Sequence, residues 1–198
     1  MKRLRLPLCI VIALSAGAAI FWLVSTSRAA TETPEYKVIR TDGKFEIRDY
    51  PAMTVASTPM ESGEMNRGFG QLFKFITGAN ETKEKIEMTS PVLIETVNAQ
   101  PSMNFIMPRA ALEKGVPKPA GGGVSLRKIE AARFAVLRFD GARNAKNEAD
   151  AAGKLREWLG GQKIAAEEAP IFAYYDPPWT PIPLRRNEVM LRIGKLEN

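Results

Sequence analysis

The sequence predicts an α+β domain: one antiparallel sheet or barrel carrying two helices, preceded by an N-terminal transmembrane or signal helix. Three observations point there. Apolar and polar residues alternate with period two in several short segments. Helical spacing appears in two longer stretches. Those stretches share a pattern: Gly70, Leu72, Phe75, Ile76 and Gly78 recur as Gly153, Leu155, Trp158, Leu159 and Gly161, a constant offset of 83. Upstream, Phe45-Glu-Ile-Arg48 and Val124-Ser-Leu-Arg127 also look alike. This reads as a duplication into two strand–strand–helix–strand–strand halves. Chance likeness of two amphipathic helices is the bland alternative.

The elements follow in order. Lys2, Arg3 and Arg5 precede an apolar run of 19 residues, Leu6 to Val24, and small residues from Ser25 to Ala30 follow it. A basic flank, an apolar run and small residues describe a signal peptide or an anchor. The length suffices to cross a hydrocarbon core of roughly 30 Å and favours an uncleaved anchor. Ser27 and Ala29 nonetheless suit the small positions before a cleavage site. The basic flank stays cytoplasmic, which puts the rest of the chain on the extracytoplasmic, periplasmic side, or outside the cell if cleaved. Residues 30–35 read as a polar linker. Tyr36–Thr41 and Lys44–Tyr50 alternate around Asp42-Gly43, a hairpin signal. Ala52–Met60 reads as a strand. Gly63–Thr77 has helical spacing, with Met65, Phe69, Leu72, Phe73 and Ile76 as its apolar stripe and Gly78 at its end. Ile86, Met88, Val92 and Ile94 return to period two, and Asn104–Met107 is a short strand. Pro117–Gly123 is a loop. Val124–Glu130 and Arg133–Asp140 are strands, Ala145–Leu159 is helical, and Ile171–Tyr175 and Glu188–Ile193 close the domain as strands.

Composition removes more functions than it adds. The chain has no histidine, so a Ser-His or Cys-His pair and any imidazole ligand are excluded. Its one cysteine, Cys9, lies in the apolar run, which excludes a Cys/His metal site and any disulfide in the domain. Of 28 basic residues, Lys2, Arg3, Arg5 and Arg28 lie before the first acid, Glu32. The remainder carries 24 basic against 22 acidic residues, a net of +2 and no footprint for nucleic acid.

Two strings stand out. In Lys85-Ile-Glu-Met-Thr-Ser-Pro-Val92, alternation puts Ile86, Met88 and Val92 on one face, and Pro91 predicts an edge or a bulge at the strand's start. In 174–188, YYDPPWTPIPLRRNE, prolines stiffen a long loop. Tyr174, Tyr175 and Trp179 beside Arg185 and Arg186 suit a planar ligand with carboxylates. The plain alternative is a covering loop with Arg185 or Arg186 paired to Asp176 or Glu188.

From Tyr36 to the C-terminus the chain resembles the SOUL haem-binding protein family. The matching strings are YKVIRTDGKFEIRDYP (36–51), GFGQLFKFITGAN (68–80), KIEMTSPV (85–92) and YDPPWTPIPLRRNEV (175–189). The resemblance implies a distorted antiparallel β-barrel of two similar halves at 36–198, after a segment 1–29 and the 30–35 linker. It also implies non-catalytic, non-covalent binding of haem or another tetrapyrrole in a shallow apolar groove beside the first helix. Lys74 aligns with a basic position facing a propionate, and Arg67 lies near another. Phe69 and Phe73 align with groove positions, and Asn66 shares their helix face. Arg185 and Arg186 compete with Arg67 as propionate partners. Some members ligate iron through histidine, which this chain cannot do, leaving Met65 or a tyrosine as weak ligands. The expected partners are a small-molecule tetrapyrrole, from the resemblance, and a membrane, through the N-terminal segment, with no nucleic acid and a monomeric domain. A cofactor-free barrel scaffold for protein or lipid partners is the competing reading. Glu84, Glu87, Asp176 and Glu188 show no spacing that suggests an enzyme.

Overall fold

The computed structural model describes residues 31–60, 65–97 and 100–194. The predicted N-terminal helix lies outside them, as do residues 63 and 64 of the first predicted domain helix. Nine strands form one antiparallel sheet: β1 (Lys37–Asp42), β2 (Phe45–Tyr50), β3 (Met53–Pro59), β4 (Val92–Val97), β5 (Gln100–Ile106), β6 (Ser125–Ile129), β7 (Ala132–Phe139), β8 (Ile171–Tyr174) and β9 (Asn187–Ile193). Among the described residues three helices accompany it: α1 (Met65–Ile76), α2 (Arg109–Lys114) and α3 (Ala145–Gly161).

The strand order is β1-β2-β7-β9-β8-β4-β5-β3-β6. Without β1 it reads the same from both ends once β2 is matched to β6, β3 to β7, β4 to β8 and β5 to β9. The matched helices agree: α1 packs on β3 and β5, and α3 packs on β7 and β9. The two halves meet where β4 pairs β8, with Leu93 opposite Ala173. Each half also lends its first strand to the other. β2 pairs β7 of the second half, and β6 pairs β3 of the first.

The predicted barrel does not close. β1 and β6 are free edges, and both are built to stay so. All six residues of β1 are exposed, with Lys37, Arg40 and Asp42 among them. β6 carries Arg127 and Lys128. Charged edge strands resist further pairing.

Alternation sorts the sheet's two faces. Residues directly opposite in a ladder share a face, so Val92 and Ile94 lie on the same side as Tyr174 and Phe172. That side carries both helices. Leu72, Phe75 and Ile76 of α1 pack on Ala56, Met103 and Phe105, while Leu155 and Leu159 of α3 pack on Ile47, Leu137 and Leu191. The other side gathers Tyr50, Val55, Leu93, Ile106, Phe134, Val136 and Met190 into a central cluster. Residues 31–36 cross this side. Glu32 bridges Thr89, Pro34 lines the central cleft, and the Tyr36 ring sits 5.0 Å from Tyr50.

Two local readings change. The hairpin loop is Gly43-Lys44, because Asp42 pairs Phe45 and the positive φ of +60° falls on Gly43. The KIEMTSPV string begins no edge strand: β4 starts at Val92 and is central, between β8 and β5. Its side chains still divide as alternation predicts, with Ile86, Met88 and Val92 in the α1 cluster. Thr89 turns inward and donates to the Ile106 carbonyl at 2.6 Å.

Candidate functional site

Helix α1 buries one side and leaves an aromatic one bare. Gly68, Leu72, Phe75 and Ile76 are buried. Phe69 and Phe73, one turn apart, are 40 % and 47 % exposed and stack with ring centroids 5.9 Å apart at 16°. Phe69 also meets the buried Phe105 edge-on at 5.3 Å. Helical spacing assigned Phe69 and Phe73 to the core stripe as readily as to a groove. The buried aromatic is Phe75 instead.

The other predicted site residues of α1 share this open side. Asn66, Arg67 and Lys74 are all exposed. Gly70 lies among them, and a Cβ built there meets nothing within 4 Å. No packing constraint demands glycine at that position. Its missing side chain leaves a flat bed between the phenylalanines and the cations. At Gly68, by contrast, a Cβ would meet Met60 Cγ at 3.2 Å, so that glycine lets the helix approach β3.

The end of α1 is locked. Buried Asn80 donates from Nδ2 to the Phe75 carbonyl at 3.0 Å and to the Glu84 carbonyl at 2.8 Å. Gly78 takes a φ of +120°, open to a residue without Cβ. The Gly-Ala-Asn segment thereby fixes the angle at which Phe73 and Lys74 are presented.

Arg185 is not brought to this face. Its guanidinium donates to the carbonyls of Thr180 and Pro178 in its own loop. β9, which follows it, lies three places from β5 in the sheet. Arg186 is committed elsewhere, with Nη2 2.7 Å from Glu188 Oε1 and its backbone N–H on Asp176.

Glu188, named from the sequence as a possible partner of Arg185 or Arg186 and as a carboxylate without a telling spacing, pairs with Arg186 and is the centre of a buried network. It is fully buried, as is most of Arg48. Arg48 reaches it with Nη1 at 2.8 Å and Nη2 at 3.2 Å, and the Tyr175 hydroxyl adds 3.0 Å. Burial alone would push the Glu188 carboxyl up, but Arg48 and Arg186 outweigh it and hold it below the usual range. Burial pushes the neighbouring Tyr50 hydroxyl up to about 12. The first half has a weaker counterpart. Arg127, at the position equivalent to Arg48, reaches buried Asn104 at 2.9 Å and Glu95. The likeness of FEIR and VSLR thus marks two inward-facing arginines. Both networks are fully engaged and hold the two halves in shape.

Met65 is half-buried within the α1 cluster. Among the described residues, no group of three or more acids or cysteines could hold a metal ion. The open side of α1 presents two stacked phenylalanine rings and the exposed cations Lys74 and Arg67.

Comparisons with known proteins agree with this architecture. "Heme-binding protein 1" of Xenopus tropicalis is 26 % identical over 155 residues, covering 73 % of this chain and 81 % of that protein, and the Xenopus laevis protein matches equally. Among solved structures, the C-terminal domain of EcmrR superposes with a TM-score of 0.56 at 13 % identity, over 81 % of this chain and 99 % of that one. An uncharacterized conserved protein from Listeria innocua gives 0.57 at 11 % identity, over 76 % and 92 %. At such identities these structures share the fold alone. The sequence model described as SOUL heme-binding protein matches residues 31–192, so the chain belongs to the SOUL heme-binding protein family.

Proposed function

We propose that this protein is a non-catalytic haem or tetrapyrrole carrier, held at the extracytoplasmic face of a membrane by its N-terminal segment. Family membership supports the ligand class. The observation that supports the site is the exposed, stacked Phe69–Phe73 pair beside bare Gly70 and Lys74. Leaving two phenylalanines in water forgoes apolar burial of about 25 cal/mol per Å², which a flat ligand would restore. Phe69 and Phe73 would lie against the ring, Lys74 and Arg67 would meet its carboxylates, and Asn66 would close the near edge. Bound haem would contribute its own iron and visible absorption.

The chain has no histidine, so recognition rests on the ring's faces and carboxylate edge. Haemin and metal-free protoporphyrin IX should therefore bind with similar affinity. Titration of the purified protein with each, followed by the Soret band and by tryptophan quenching, tests this. Saturable binding of both supports the reading. No saturable change at micromolar ligand removes it, and tight binding of haemin alone would require an iron ligand.

A further inference from the structure

The loop between β8 and β9 presents apolar surface on a rigid support. Trp179 is 82 % exposed, the most open large apolar side chain among the described residues, and Ile182 is 47 % exposed. Pro178, Pro181 and Pro183 are exposed beside them, and no charged residue occurs from 177 to 184. The loop is held from beneath. Thr180 is buried, and its N–H donates to the Pro177 carbonyl at 3.0 Å. Arg185 donates to the Thr180 and Pro178 carbonyls, and Asp176 accepts the Arg186 N–H at 2.6 Å. A 3₁₀ turn covers Ile182–Leu184. Ordering is complete before any partner arrives, which lowers the entropic cost of association.

The position of this tip names its partner. Tyr174 pairs Val92, so the loop leaves the sheet at the end where β4 begins. Residues 31–36 enter at that same end. The Ser90 N–H donates to the Glu32 carbonyl at 2.9 Å, and Pro34, Pro91 and Tyr175 line one cleft. The apolar run ends at Val24, seven residues before Thr31. Seven extended residues reach at most about 25 Å. If the run spans a bilayer, this end of the domain stays near the head groups. A tryptophan with its N–H free beside an aliphatic side chain and prolines suits that layer, where one end of the ring is apolar and the other wet.

We propose that the 178–183 tip, led by Trp179 and Ile182, rests in the interfacial layer of the membrane that holds the N-terminal segment. The inference rests on reading that segment as an uncleaved anchor. It gives the domain a fixed stance, with two attachment points instead of a single tether.

The test uses the full chain in phosphatidylcholine vesicles brominated near the top of the acyl chains. Trp22 is first replaced by Trp22→Phe, because it lies in the apolar run. The signal of Trp179 is the difference between this protein and one also carrying Trp179→Phe. Flotation with the vesicles, together with a blue-shifted and bromine-quenched difference spectrum, supports the proposal. Flotation with an unshifted, unquenched spectrum overturns it while leaving the anchor intact. A blue shift without bromine quenching overturns it in favour of a protein contact. A chain that does not float removes the anchor and the proposal together.

Discussion

Arg48 grips Glu188 with two nitrogens at 2.8 and 3.2 Å, across 140 residues of chain and with both side chains buried. Glu188 also neutralises Arg186. Glu188→Gln therefore leaves the Arg186 guanidinium without its carboxylate and Arg48 with Glu46 alone, 2.6 Å from its Nε, and is expected to cost more than Arg48→Met. Breaking a buried pair from one side costs about 3–5 kcal/mol. Urea unfolding of the two variants gives the order; equal small losses would show the network to be structurally idle.

The same carboxylate sets an acid limit. Its native pKa lies below the unfolded value, so it contributes stability at neutral pH. That contribution is lost as pH falls through the native value. Melting temperature should drop more steeply below about pH 4.5 in the wild type than in Glu188→Gln.

At the phenols burial is not outweighed, so their net shift runs opposite to that of Glu188. The Tyr50 hydroxyl is raised to about 12, and those of Tyr174 and Tyr175 are raised further. An acid whose native pKa is raised stabilises the fold fully below its unfolded value of about 10 and loses that effect above it. Tyrosinate absorbance of the native protein at pH 11 should fall short of that in denaturant by three residues. Equal absorbance would mean that these rings are open to base.

Substitutions at Gly70 should separate binding from stability. Gly70→Ala should stabilise the domain by about 0.5–1 kcal/mol, since α1 gains helix propensity and nothing is crowded. Gly70→Leu should leave folding intact while filling the bed beside Phe73. Loss of tetrapyrrole binding in the leucine variant alone is the expected pattern, read by Soret titration and thermal melting.

Charge contacts should divide by location. Lys74→Ala is expected to weaken tetrapyrrole binding roughly two- to fivefold, the size of one exposed ion pair. Phe73→Ala should weaken it roughly tenfold or more. Arg185→Ala should leave affinity unchanged, because that guanidinium serves its own loop. A large effect of Arg185→Ala would move the ligand towards β9.

The strands were legible as short apolar and β-branched runs between turn residues, although burial itself does not alternate along them: all of β1 is exposed and β9 is buried on both faces. β7 and β9 fall within a residue or two of their predicted limits. Helix α2 was missed: six residues without a buried member leave no stripe to detect. The choice between Phe75 and Phe73 as core aromatic was also invisible. A helix rotated slightly about its axis satisfies either, and only contact with Phe105 and Met103 decides. Sheet closure depends on two edge strands 83 or more residues apart, about which periodicity is silent. The Arg48–Glu188 pair lay hidden for the same reason, although the repeated FEIR and VSLR strings already marked its arginine and the one opposite.

The exchange of β2 and β6 between the halves bears on how such a chain could arise and be divided. A lone half would send its first strand outward and leave β3 or β7 with one side unpaired. Such a unit completes itself only by trading strands with a second copy, so a primordial single-repeat ancestor would have been an intertwined dimer. Cutting the chain in the loop at Gly121–Gly122 should accordingly yield two fragments that are insoluble apart and reassemble when co-expressed.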